Sequence, residues 1–127
     1  MSAGSFIEGI RSYDIHTYWY NNNKEEREAA LLLREKVLNV FAKEIEAGDI
    51  RVYKPWETPI GPHPLSMWEL DFKSPAIFSR IVPFFQMHHH KLSVLIHPRT
   101  SKGDLLDHTV HALWLGHKVR LDTTLLK

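Results

Sequence analysis

Two hydrophobic periods alternate along this chain. Residues 13–20 are β-branched and aromatic with polar positions between them, which predicts a strand. Asn21, Asn22 and Asn23 end it and supply an N-cap. Asn22 with Glu25, or Asn23 with Glu26, has capping-box spacing, and acids crowd the first turn. The period then lengthens, and a helix is expected to run to about Ala47. Its buried stripe is Ala30, Leu33, Val37, Val40 and Phe41, and Gly48 is its stop. A short second strand follows at 51–53. The next stretch is broken by Pro55, Pro59, Pro62 and Pro64 and reads as a loop. Residues 66–72 form a third strand.

Ser74 as cap and Pro75 in the first turn open a second helix. Phe78, Ile81, Val82 and Phe85 give it a buried face, and Pro83 is expected to kink or divide it. Residues 92–96 make a fourth strand. A polar turn after His97 leads through Asp107, His108, Thr109 and Val110 to segments at 112–116 and 121–126. The order β-α-β-β-α-β predicts an α+β, ferredoxin-like sandwich: one antiparallel sheet, two helices on one face, and a C-terminal extension. A length of 127 residues without repeats or a linker predicts one domain over 1–127.

Strand alternation assigns faces. Leu92, Val94 and Ile96 should pack under the helices, as should Trp68, Leu70 and Phe72, and Ile15 with Trp19. The opposite face then receives Ser93, Leu95 and His97, with Met67, Glu69 and Asp71, and Asp14, His16, Tyr18 and Tyr20. In a ferredoxin-like sheet the first strand lies between the third and fourth. His16, Glu69 and His97 therefore converge on the face without helices. Two imidazoles and a carboxylate with open positions suit non-haem Fe(II) and dioxygen.

Composition sharpens this picture. Nine histidines are present, several times what an average usage of about 2% supplies. Cysteine is absent, so any metal is held by nitrogen and oxygen donors. A formal net charge of +1 gives no reason to expect nucleic acid or a membrane surface as partner. No signal-peptide pattern opens the chain at Met1–Ser5 and no apolar run nears membrane-spanning length, so a cytoplasmic location is expected. Glycine-rich phosphate loops, zinc-helix motifs and serine-nucleophile motifs are all missing.

Among the remaining histidines, His63 lies between Pro62 and Pro64, which would hold its imidazole at low entropic cost. His108, followed by His111, is a candidate acid or base near a metal. His88, His89 and His90 end the second helix. Three consecutive residues cannot share one direction there, so they are read as a helix terminus favoured by the dipole.

Five segments in order (Gly61-Pro62-His63-Pro64, Met67-Trp68-Glu69, Leu92-Ser93-Val94-Leu95-Ile96-His97-Pro98, Asp107-His108-Thr109 and Ala112-Leu113-Trp114-Leu115-Gly116) resemble the DOPA 4,5-dioxygenase family. The resemblance covers the chain from about Tyr13 to Leu121. It implies a ferredoxin-like fold and extradiol cleavage of a catechol such as L-DOPA with O2, and it places His16, His63, His97 and His108 in the family's motifs. Two departures stand out. The family's first strand often carries His-x-His where this chain has Asp14-Ile15-His16, so Asp14 is a possible oxygen donor. The turn from Arg99 to Asp104 is also slightly longer than usual.

The expected site is therefore Fe(II) held by His16, His97 and either Glu69 or His63, with zinc or another divalent metal possible in a purified sample. His108 or His63 is expected to carry the catechol proton, and Tyr18 and Tyr20 to wall the ring pocket, while Trp68 reads as core. The alternatives are a metal- or ligand-binding module without turnover and, less favoured, a zinc-dependent hydrolase. A homodimer is possible through the open face or an edge strand.

Overall fold

A computed structural model describes residues 4–127; Met1, Ser2 and Ala3, part of the stretch read for a leader, lie outside the described residues. The elements are β1 (Ser12–Trp19), α1 (Lys24–Val40), α2 (Ala42–Glu46), β2 (Ile50–Val52), β3 (Ser66–Phe72), α3 (Pro75–His88), β4 (Ser93–Arg99), α4 (Asp104–His108) and β5 (Leu113–Leu115), with a 3-10 turn at Thr123–Leu125. The fold is α+β. Its sheet runs β2-β3-β1-β4-β5, and each neighbouring pair is antiparallel.

Local chemistry accounts for the elements. The Asn23 side chain accepts from the Glu26 amide at 3.0 Å, and Glu26 reaches back to the Tyr20 amide, so the first turn of α1 is closed from both sides. Ala30, Leu33 and Val37 are its buried stripe. The long helix expected to reach Ala47 is interrupted at Phe41 (φ −106°, ψ 24°), whose ring is buried. Val40, expected in the stripe, consequently turns outward and is 48% exposed. Gly48, at φ +82°, reverses the chain after α2, while the Asp49 amide donates to the Glu44 carbonyl at 2.8 Å.

The second helix holds two corrections. α3 runs through Pro83 as one helix, so the expected division does not occur; Pro83 lies on the exposed side, where water can solvate the carbonyl left without a donor. Its buried residues are Ile77, Ile81 and Phe85; Phe78 and Val82, expected there, are only partly covered.

One face of the sheet carries the principal core, where Ile15, Trp19, Trp68, Leu70, Val94 and Ile96 meet the buried faces of α1 and α3. Trp68 is fully buried, and its indole N–H donates to the Ala30 carbonyl at 2.8 Å, tying β3 to α1. Replacing Trp68 with alanine is expected to cost about 3–5 kcal/mol of folding free energy, read by chemical denaturation; a loss under about 1 kcal/mol would contradict this packing.

The opposite face, expected to be open, is enclosed. Tyr18, Met67 and Leu95 are buried there under Leu65, Ala112, Trp114, Val119 and Leu121. α4 also lies on this side, since Asp107 and His108 are buried and the His108 ring stands 3.9 Å from that of His97. The C-terminal extension thus converts a sheet surface into the lid of a second, polar interior.

Candidate metal centre

The strand register decides which side chains meet in that interior. His16 sits opposite Glu69 across β1 and β3, and Asp14 sits opposite His97 across β1 and β4. His63 is delivered by the proline loop, where Gly61 takes φ +58° and the His63 amide donates to the Ile60 carbonyl at 3.0 Å. The Asp122 amide donates to the Pro62 carbonyl at 2.8 Å, pinning the loop to the tail. His108 comes from α4. The buried Asp107 carboxylate holds α4 in place by accepting from the Thr100 amide (2.7 Å), the Thr100 hydroxyl (2.8 Å) and the His111 ring (2.8 Å).

All four family-motif histidines, His16, His63, His97 and His108, are therefore brought together and buried. The His16 and His97 Nε2 atoms are 3.1 Å apart, and the His16 and His63 ring centroids are 4.3 Å apart. Two donor sets share His16: Asp14, His16 and His97, and His16, His63 and His108, each with its ligand atoms within 4.8 Å of one another. Glu69 belongs to neither. Its carboxylate lies 3.6 Å from His16 Nδ1, the nitrogen not directed at His97.

Hydrogen bonds fix where the Nδ1 proton sits in two of the four. His97 Nδ1 faces the Pro98 carbonyl at 3.0 Å and His108 Nδ1 faces the Asp104 carbonyl at 2.8 Å. A carbonyl only accepts, so both Nδ1 atoms carry a proton, and His97, which burial keeps neutral, presents its Nε2 lone pair. His63 differs: its Nδ1 meets the buried Tyr18 hydroxyl at 2.6 Å, a group that both donates and accepts.

Electrostatics follow from burial. Desolvation, reinforced by the neighbouring imidazoles, holds His63 and His97 down to about 3 and His16 well below the usual histidine range. Burial raises Asp14 and Glu69, and Arg99 opposes it at Asp14 by donating at 2.7 and 3.0 Å to Oδ2. The result is three imidazoles held neutral, those of His16, His63 and His97, beside two carboxylates.

That donor set fits a divalent cation. The His97 Nε2 lone pair faces His16 Nε2 at 3.1 Å, and the Glu69 carboxylate favours a proton on His16 Nδ1, which would turn a second lone pair toward the first. Two nitrogens bound to one ion at right angles stand about 3 Å apart. Asp14 Oδ1 is buried without a hydrogen-bond partner, a shortage the same ion would remove.

A cavity of about 270 Å3 opens onto His16, His63 and His108. Trp56, Ile60 and Leu126 form its apolar walls, and Glu69, Arg99 and Asp104 its charged rim. Tyr18 and Tyr20, expected to wall a ring pocket, are not on it. Tyr18 is buried against His63, Tyr20 is 56% exposed past the end of β1, and both border a different cavity. Trp56 and Arg99 were missed, Trp56 because a proline-broken loop has no readable period. Arg99 shares the parity of His97, and that was the available signal. His88 and His89 lie apart, the first against Phe84 and the second facing the Leu92 carbonyl.

The chain is similar to known proteins in sequence and in fold. The chain is 38% identical over 126 residues to an uncharacterized 21.2 kDa protein of Botryotinia fuckeliana, covering 94% of the chain and 66% of that protein. It is 31% identical over 107 residues to DOPA 4,5-dioxygenase of Amanita muscaria, covering 84% of the chain and 46% of the relative. The chain thus spans less than two thirds of the length of either. A crystal structure of a protein designated a candidate dioxygenase, from Nostoc punctiforme, superposes with a TM-score of 0.74 at 26% identity, covering 94% of this chain and 93% of that one. The family model for the Dopa 4,5-dioxygenase family matches residues 13–125, and the chain belongs to that family.

Proposed function

We propose that this protein is an extradiol dioxygenase that opens the ring of a catechol with O2 at a non-haem Fe(II) centre. The observation that carries the reading is the convergence of Asp14, His16 and His97 behind a cavity of about 270 Å3, the two-imidazole, one-carboxylate set suited to that chemistry. Asp14, rather than Glu69, is the carboxylate of this set, and Glu69 stands 3.6 Å from the other His16 nitrogen, where its charge favours a proton. The family membership and the likeness to the Amanita and Nostoc proteins support the reaction class. The strand order supports reading the fold as a ferredoxin-like βαββαβ sandwich with β5 appended.

When bound, Fe(II) would supply a Lewis acid that acidifies the diol and brings it into contact with O2. The chain's own residues do the rest. Trp56, Ile60 and Leu126 present apolar walls of a size for one aromatic ring. His63 is the proton carrier. In the tautomer that donates Nδ1–H to the Tyr18 hydroxyl oxygen, its Nε2 lone pair can take the diol proton, giving an imidazolium that returns the proton in a later step. His108 lines the same cavity, with its Nδ1 anchored on the Asp104 carbonyl. The enclosing C-terminal extension keeps bulk water from the imidazoles.

Anaerobic Fe(II) reconstitution followed by oxygen-uptake measurements with L-DOPA, caffeate and protocatechuate tests the reading. Uptake with a yellow ring-opened product is the expected result, and no uptake by iron-loaded protein across the catechols would sink it. Trp56→Ala is expected to raise KM about tenfold with kcat less affected, since Trp56 offers wall area and no reacting atom. A fall in kcat at unchanged KM would place Trp56 elsewhere.

A further inference from the structure

A second cavity, larger than the one at the histidines, measures about 390 Å3 and lies on the other side of Tyr18. Lys91, from the turn before β4, and Lys118 and Arg120, from the C-terminal extension, stand around it. Among the described residues, none of these three side chains makes an ion pair or hydrogen bond. The single acid on the wall, Glu26, is already committed, its two oxygens accepting from the Tyr20 amide and the Asn23 side chain at 3.2 Å each. Three cations against one carboxylate, none of them paired with it, leave a net positive potential over a concave, partly apolar space that solvated surface lysines do not produce singly.

We infer that this cavity is a binding site for a small organic dianion, joined to the histidine cluster through Tyr18. The dianionic group, a phosphate ester or a dicarboxylate, is held by Lys91, Lys118 and Arg120. Its apolar body lies against Pro64, Leu65 and Val119. Tyr18 is the partition: it borders this cavity, and its hydroxyl meets His63 Nδ1 at 2.6 Å. A ligand that shifts the Tyr18 ring alters the hydrogen bond that orients His63, so occupancy on one side is felt on the other.

Binding requires no metal and no turnover, so its test is separate from that of the dioxygenase reading. Calorimetric titration of the full chain, metal-free and metal-loaded, would use phenyl phosphate, isophthalate and neutral benzyl alcohol. One dianion is expected to bind once per chain in both forms, with the neutral probe giving no saturable signal. Which dianion binds more tightly separates the phosphate from the dicarboxylate source. Lys91→Gln combined with Arg120→Gln, both exposed positions, should weaken binding about tenfold or more. In the metal-free protein the bound dianion should shift the imidazole resonances of His63, and Tyr18→Phe should remove that shift while binding persists. No saturable binding of either dianion, equal binding of the neutral probe, or an unchanged affinity in the double variant would overturn the site. A His63 shift that survives Tyr18→Phe, or binding with no shift, would overturn the connection.

Discussion

His16→Ala is expected to abolish metal binding, lowering affinity by more than about 100-fold, because His16 is the one residue common to both donor sets. The neighbouring positions should divide by role. Asp14→Asn replaces the proposed carboxylate donor with a neutral, weakly binding amide oxygen and should approach the His16 effect. Glu69→Gln changes only the partner of His16 Nδ1, and loss of such an outer contact is worth about 10–100-fold. Metal stoichiometry and competition against a chelator read all three variants. If Glu69→Gln proved as severe as His16→Ala while Asp14→Asn bound normally, the carboxylate assignment would be reversed. Because the buried variants risk misfolding, each should first match the parent's far-ultraviolet circular dichroism.

The metal-free protein should lose stability steeply in mild acid. His63 and His97 are held to about 3 in the fold, and His16 is also well below the ordinary value of 6.5. Between those limits the unfolded chain binds protons that the folded chain refuses. The stability contributed by the neutral imidazoles is therefore present above about pH 6.5 and falls as pH drops toward 3, by about 1 kcal/mol per pH unit for each group. Thermal melts from pH 7.5 downward should show Tm descending once pH passes below 6.5. A divalent metal competes with protons for the same nitrogens, so its addition should move the descent to lower pH. A Tm indifferent to pH between 6.5 and 4 would mean the cluster is solvated rather than buried.

Both predictions rest on a fold whose frame could be read from periodicity. The long elements announced themselves: β1, β3 and β4 by alternation, and α1 and α3 by caps and stripes. Strand parity put Asp14, His16, Glu69 and His97 on the correct face. Parity cannot say which of two carboxylates lies beside which imidazole, however. That depends on the pairing, which sets Asp14 against His97 and Glu69 against His16. Tyr18 and Tyr20 illustrate a related limit. They share the face, but each step of two residues along a strand is about 6.6 Å, and Tyr20 lies two such steps from His16.

Short elements defeated the reading for a different reason. α4 has 5 residues and β5 has 3, too few to show a period. Their positions are set by distant contacts, such as the Leu105 amide donating to the Lys127 carbonyl at 2.9 Å. The enclosure of the second face was hidden for the same cause, since it is made by those elements and the tail. His63 was singled out by its proline setting and His108 by its place in a polar segment after a turn, and the family resemblance then placed both in its motifs.

The central claim, that this histidine cluster directs O2 into a catechol ring, is tested most directly by mass spectrometry of the product formed under heavy-isotope dioxygen. Fe(II)-loaded protein with L-DOPA should give a ring-opened product carrying both labelled atoms, allowing for exchange at the aldehyde. An unlabelled quinone, or an unlabelled product formed equally well without oxygen, would contradict the account.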